Sequence, residues 1–509
     1  MRLKRALGLA FVGVGALAVR DLTQTQHALR RNYPVIANAR YLLERIGPEL
    51  RQYIVTSNDE ERPFTRDQRD WIYESSKGVN NYQGFGTDNN IEHTMGYPII
   101  KHRAFPESVP HDHAIDTGLP AAKVMGAARG RAKAFRPRSV INISGTSFGS
   151  MSGAAIEALN RGARDADCWH NTGEGSLSEH HKQGADLVFQ IGTAYFGCRD
   201  VAGNFSMSKL KEVVDSAPVR AIEIKLSQGA KPGLGGMLPG AKVSAEIARI
   251  RGIEQGVDCL SPARHLAFGN EDSLLDFVEA VAQETGLPVG IKSAVGDLSF
   301  WHYLAVLMQS RNRGVDFITI DGGEGGTGAA PPVFADSVAL PFRLGFSRVY
   351  SIFAEAGLTD DVYFVGSGKL GLIENAAVAF ALGVDSVNVA REAMMAIGCI
   401  QSQKCHTDRC PTGVATQDPW LAHGLEPISK GERCASYLRE FRKELVKVVE
   451  AIGVAHPGLI TPSDVEVLNG DFNAMSVGEV YGYRPEWGRL GPDLAAQITD
   501  LMTGTEQAK

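Results

Sequence analysis

The sequence predicts an α/β fold: a (β/α)8 barrel of the TIM type with an N-terminal wrapping arm and a helical C-terminal extension. Three observations carry this. From about residue 138, short β-rich runs alternate with Ala-rich, helix-like stretches, as in parallel strands joined by right-handed crossovers. The runs repeatedly end in glycine-rich or polar tips: Gly145, Gln228-Gly229, Gly322-Gly323 and Gly366-Ser367-Gly368. The C-terminal strand ends of such a barrel build its active site, where glycine lets backbone approach a ligand. A doubly wound sheet would carry G-x-G-x-x-G after its first strand, and nothing after Ser144 has that spacing.

The elements follow in order. Residues 1–20 hold a basic start, the uncharged run Ala6 to Val19, then Arg20-Asp21. Fourteen residues at 1.5 Å each give about 21 Å, short of a hydrocarbon core of roughly 30 Å. A membrane anchor, a signal peptide and an ordinary terminal helix compete here; the anchor is taken as the expectation, holding a cytoplasmic catalytic domain at the inner membrane. Residues 21–135 form the arm, with helices near 37–54 and 66–77. The barrel spans 136–425, with strands at Val140–Ser144, Leu187–Ile191, Ala221–Leu226, Pro288–Ile291, Phe317–Ile320, Val362–Val365 and Ser386–Val389. Amphipathic segments such as Ser273–Thr285 and Leu372–Leu382 lie between them. Residues 426–509 form a helical cover, about Lys430 to Ile452, with Tyr437, Phe441, Leu445, Val448 and Val449 on one face. The chain from Gly453 onward is read as a turn-rich tail.

Composition excludes several classes. The 509 residues carry a net charge of −6, with 44% hydrophobic and 22% charged residues, which rules out disorder and a polytopic membrane protein. Mild acidity gives no electrostatic basis for nucleic acid as a partner. Seven cysteines are too few, and odd in number, for a secreted disulfide scaffold. Cys168, Cys198, Cys259 and Cys434 are scattered, as small buried hydrophobes are. Cys399, Cys405 and Cys410 instead form C-x5-C-x4-C followed by Pro411, which points to a metal site. Zinc would need a fourth ligand, for which His406 is available. An iron–sulfur cluster would use the thiolates alone.

Three segments carry the remaining chemistry. Lys225 to Gly240 is a strand end followed by a glycine-rich loop with a second lysine, Lys231. Such a loop admits a planar ligand while the ammonium groups meet negative charge. Asp321-Gly322-Gly323-Glu324-Gly325-Gly326-Thr327-Gly328-Ala329 closes a second strand, and a loop so depleted in Cβ atoms is costly in chain entropy. Val365-Gly366-Ser367-Gly368-Lys369 could wrap a phosphate with backbone N–H groups, and late barrel strands are where such sites lie.

These segments resemble the FMN-binding central domain of glutamate synthase, within the family of stand-alone glutamate synthase-related proteins. Gln228–Gly240 is similar to the family's QGAKPGxGGxLPG, Asn171-Thr172-Gly173-Glu174-Gly175 to its SNTGEGG, Gly322–Ala329 to its GxxGGTGA, and Cys399–Thr416 to its C-x5-C-x4-C-P-x-G-V-A-T. The likeness runs from about residue 70 to 450. It implies FMN in a (β/α)8 barrel beside a [3Fe–4S] cluster on Cys399, Cys405 and Cys410. It further implies that Lys292 lies over the flavin, and that Lys225 and Gln228 contact its ring. Gly322, Gly323, Gly366, Ser367, Gly368 and Arg391 would hold the cofactor, the last four at its phosphate. Lys225, Lys292 and Glu174 would be catalytic, and Lys231 and Arg251 would bind 2-oxoglutarate or the derived imine, two cations for two carboxylates.

Two departures fall near that pocket: Met237 stands where the family has Gln, and Ser176-Leu177 interrupts its GEGGE pattern. Another 2-oxo acid or imine is therefore an alternative substrate, and a membrane-associated electron-transfer subunit an alternative role. The chain starts with a basic-apolar segment and has no cysteine before Cys168. Ammonia is thus expected from a separate amidotransferase or from solution. Electrons are expected from ferredoxin or a flavoprotein rather than from NAD(P)H bound to this chain.

Overall fold

The computed structural model describes residues 2–47, 60–106, 118–470 and 473–503. Eight parallel strands close into a barrel in sequential order: β1 (Ile141–Ile143), β2 (His170–Asn171), β3 (Leu187–Ile191), β4 (Val219–Lys225), β5 (Val289–Ser293), β6 (Phe317–Asp321), β7 (Tyr363–Ser367) and β8 (Ser386–Val389). Closure comes from β8 pairing with β1, Val387 opposite Ile141. Both faces of the strands are covered, which is why they read as near-continuous apolar runs.

Seven of these strands match the expected runs. The eighth, β2, has only two residues, and polar His170-Asn171 leaves no apolar run to detect. It exists because β1 and β3 both pair with it, through Ile143 with His170 and His170 with Leu187. Its tip delivers Thr172-Gly173-Glu174 to the mouth of the barrel.

Local capping sets the helix ends. Ser152 caps Gly153–Asp165 by accepting from the Ala155 N–H, and Asn270 caps Glu271–Thr285 in a box with Ser273. Arg66–Lys77 starts at a Thr65–Gln68 capping box and stops at Gly78 in the left-handed region. The cover helix, Pro427–Ile452, is capped by Glu426 and ended by Gly453. It crosses Gly153–Asp165 closely. A Cβ on Gly162 would overlap Cys434, and one on Gly431 would lie 2.8 Å from the Arg161 Cβ.

Two expectations are corrected. The segment after Gly453 is not simply turn-rich. Val465–Leu468 pairs antiparallel with Pro98–Ile100 of the arm and with Ala474–Ser476, and Val477–Tyr481 and Pro492–Thr503 are helical. The pairing partner lies some hundreds of residues away in sequence, so no local pattern announces it. The second concerns the N-terminus. Arg2–Thr23 is one helix, but among the described residues no helix is long and apolar enough to cross a membrane. Alanine and glycine dilute its hydrophobicity, and near its end Asp21 is buried and accepts from the Val35 N–H at 2.9 Å. That helix gives a membrane-crossing anchor no support. Of the expected helix 37–54, Ala37–Arg45 is helical and residues 48–54 lie outside the described ones.

Candidate active site

The floor of the site is built from inward-facing polar residues within otherwise apolar strands. Glu223 on β4 is buried and fully bonded. Its Oε1 accepts from Asn171 Nδ2 at 2.8 Å and Gln190 Nε2 at 2.6 Å, and its Oε2 from Thr319 Oγ1 at 2.6 Å. Four strands are thereby tied together around one carboxylate. Two residues further along β4, the pleat brings Lys225 to the same side, paired in register with Lys292 on β5. Lys292 is buried, with its Nζ 3.8 Å from Asp321 Oδ2 and 3.5 Å from Ser144 Oγ. Asp321 also accepts from the Gly229 N–H at 2.9 Å, which binds two glycine loops together. Gly229 must be glycine, because any Cβ would overlap the Gly322 carbonyl oxygen.

At the expected substrate end, Lys225 Nζ donates to Glu174 Oε1 and to Gln228 Oε1, each at 2.7 Å. Burial raises the Glu174 pKa, but the charge and hydrogen bond of Lys225, helped by Lys231 and Arg251, outweigh it and hold the carboxyl below its ordinary value. Lys231 is buried. That burial, with repulsion from Lys225 and partial relief from Glu174, lowers its pKa from 10.5 to about 8. A Cβ on Gly236 would lie 2.7 Å from Glu174 Oε1, so the loop packs directly on the carboxylate. Arg251 ends the helix Ala245–Arg251. It donates from Nη2 to the Phe148 carbonyl at 2.8 Å, while its Nε is buried without a partner. Its guanidinium therefore braces the loop and supports Glu174 through space. Met237 pairs with Leu260 across a two-stranded ribbon, and both are exposed at the lip with Leu234. Ser176 has φ +76°, a left-handed conformation that favours glycine, and Gly197 packs on its hydroxyl.

The expected phosphate end is organised differently from the expectation in one respect. The Gly322 N–H donates to the Ser367 carbonyl at 2.9 Å and the Gly323 N–H to that of Leu340 at 2.8 Å, so both amides are engaged within the protein. Gly366 makes room for Phe342 and Leu370. Gly368 is buried at φ +120°, and neither its N–H nor that of Lys369 donates to a carbonyl among the described residues. Two adjacent amides without a carbonyl acceptor are suited to meet an anion. Arg391 donates to the Glu324 carbonyl, and a Cβ on Gly326 would lie 2.7 Å from its Cδ. These amides, the buried Lys292 and the glycine loops fit a phosphate-bearing planar cofactor.

The cysteine loop follows β8 and the short helix Arg391–Ala396. Cys410 is buried, Cys399 and Cys405 half-buried. Burial, then repulsion from Cys410 and Cys405, lifts the Cys399 thiol to about 12 against the Gln401 N–H that lowers it. His406 is exposed, and among the described residues no three His, Cys, Asp or Glu side chains group tightly enough to hold a metal ion. That holds for Cys399, Cys405 and Cys410 as well as for His406, so the structure does not bring the expected metal ligands into one tight group. In donor chemistry alone, three thiols suit a three-iron cluster. Lys242 joins this loop to the substrate loop: its buried Nζ donates to the carbonyls of Ser150 (2.6 Å), Ala415 (3.2 Å) and Cys405 (3.3 Å).

A family model described as the conserved region in glutamate synthase matches residues 122–455. The chain belongs to the glutamate synthase family. The glutamate synthase large subunit-like protein YerD of Bacillus subtilis is 37% identical over 473 residues, 86% of this chain and 89% of that protein. The archaeal-type glutamate synthase [NADPH] of Thermotoga neapolitana is 34% identical over 333 residues, 65% of this chain and 61% of its own length. Among solved structures, the flavin-binding domain of baker's yeast flavocytochrome b2 aligns at a TM-score of 0.43 and 12% identity, over 79% of each chain.

Several site residues of this glutamate synthase family member escape sequence reasoning. Glu223, Gln190 and Thr319 are single polar residues inside apolar strands, and their inward alternation with Lys225 is the available signal. Phe64 lies in the arm, outside the matched region, and nothing near it in sequence marks it.

Proposed function

We propose that this chain is an FMN-dependent oxidoreductase that reduces 2-iminoglutarate, formed from 2-oxoglutarate and ammonia, to L-glutamate with externally supplied electrons. The observation that carries this is the row of buried charges at the barrel mouth: Lys292 with Asp321, Lys225 with Glu174, and Lys231 beside them. When bound, FMN would supply the hydride, and a [3Fe–4S] cluster on Cys399, Cys405 and Cys410 one-electron transfer. The chain's own residues do the rest. Lys292 would place a positive charge beside the planar ring and stabilise its reduced, anionic form. Lys231, protonated at neutral pH, attracts a substrate carboxylate, and Arg251 adds a second positive field. Glu174, kept ionised, attracts ammonium or an iminium, and Lys225 holds a proton within reach of the same position. The amides of Gly368 and Lys369 and the Arg391 guanidinium would hold the FMN phosphate.

Ferredoxin or a flavoprotein is the proposed electron donor, and a separate amidotransferase or free ammonia the nitrogen source. One observation favours a second substrate class. Met237, Leu234 and Leu260 give the lip an apolar surface, which suits a 2-oxo acid with a less polar tail. The test is the spectrum of the purified protein, followed by dithionite reduction and mixing with 2-oxoglutarate plus ammonia. Flavin absorption that returns only with both substrates supports the proposal. A protein without flavin, or reduced flavin indifferent to every 2-oxo acid and ammonia mixture, refutes it.

A further inference from the structure

The arm residue Phe64 occupies an unexpected place. It is 1% exposed, and two cations of the expected phosphate end lie against its ring. Lys369 Nζ is 5.0 Å from the ring centroid and Arg391 Cζ also 5.0 Å. Backbone contacts on both sides fix the ring. Lys369 Nζ donates to the Pro63 carbonyl at 2.6 Å, the Phe64 N–H donates to Gln401 Oε1 at 3.0 Å, and Gln401 Nε2 donates back to the Phe64 carbonyl at 3.1 Å. Arg391, at the start of its helix, and Lys369, in the loop after β7, are like charges, and repulsion would drive them apart. The negative face of an aromatic ring beside both offsets that repulsion and fixes both side chains.

We propose that Phe64 is a positioning residue for cofactor binding: the arm sets its ring against both Lys369 and Arg391 and holds the two cations at the phosphate of FMN. This rests on the flavin reading above. It makes the arm part of the cofactor site although it lies far from the barrel in sequence. Arg391 is aimed by the ring, by the Glu324 carbonyl and by the close approach of Gly326. Lys369 carries one of the two N–H groups that donate to no carbonyl among the described residues, so the ring orders a side-chain charge on the same residue.

The experiment measures affinity of flavin-stripped, full-length protein for FMN and for riboflavin, which lacks the phosphate, by quenching of flavin fluorescence. Phe64→Ala should weaken FMN by about tenfold, as expected for losing ring–cation contacts at a buried site, and change riboflavin by less than about twofold. Phe64→Leu, which keeps bulk without the ring's charge distribution, should weaken FMN in the same selective way and serves if the alanine variant does not fold. In a Phe64→Leu/Lys369→Met double variant the losses should be less than additive, because the pair acts as one unit. FMN affinity within about twofold of wild type in the variant overturns the proposal. Equal weakening of FMN and riboflavin also overturns it, since that is general damage to the fold. Wild-type protein that binds neither flavin overturns the cofactor reading itself, and is told apart by needing no variant.

Discussion

Removal of the charge on Lys231 should stabilise the protein. Lys231 is 6% exposed, and its pKa falls from 10.5 to about 8 chiefly through burial, with repulsion from Lys225 adding to it. At about 1.4 kcal/mol per pH unit, that depression is about 3 kcal/mol of native-state cost when the group is charged. A lysine with a depressed folded pKa loses its proton more readily when folded. Between about pH 8 and 10.5 the unfolded chain therefore binds more protons, and stability rises with pH across that window. Below pH 8 the cost is present in full. Lys231→Met removes it. With an unfolding entropy of about 2.1 cal/mol/K per residue, a chain of this length has roughly 1.1 kcal/mol/K, so the melting temperature at pH 7 should rise by about 3 °C. The assay is thermal unfolding of wild type and variant without substrate, at pH 7 and pH 10.5. The gain should be present at pH 7 and largely gone at pH 10.5, apart from a pH-independent contribution of the methionine itself. The same variant should lose binding of a dicarboxylate 2-oxo acid. A variant less stable than wild type at pH 7, or a gain equal at both pH values, refutes the reasoning.

Glu223→Ala should leave the donors of Asn171, Gln190 and Thr319 buried without an acceptor, costing about 3 kcal/mol or more, while Glu223→Gln should cost less. Equal melting temperatures for the two variants would show that the carboxylate does not tie the floor together. Ser176→Gly should raise stability by about 1 kcal/mol by relieving the left-handed conformation at φ +76°. Denaturant unfolding showing no gain, or a loss, would mean that contacts of the serine hydroxyl near Gly197 outweigh the backbone term.

The barrel was legible in the sequence because parallel strands buried on both faces must be short apolar runs, and seven of the eight are. Glycine loops were legible for a related reason: close backbone approach demands a particular residue type at short range. β2 was not legible, since two polar residues become a strand only when β1 and β3 supply its partners. The sheet formed by Pro98–Ile100 with Val465–Leu468 was hidden by sequence separation in the same way. Tertiary structure alone decided which amides of this end remain open to an anion, turning Gly322 and Gly323 inward and leaving Gly368 and Lys369 without carbonyl acceptors among the described residues. It alone decided that Arg251 braces the Phe148 carbonyl and that Phe64 reaches the cations of the late strands. Sequence determines by itself what is enforced by neighbours along the chain: period and turn chemistry. Whatever is enforced by burial against distant segments, including the pKa of Lys231 and the floor around Glu223, exists only once the barrel closes and water is excluded.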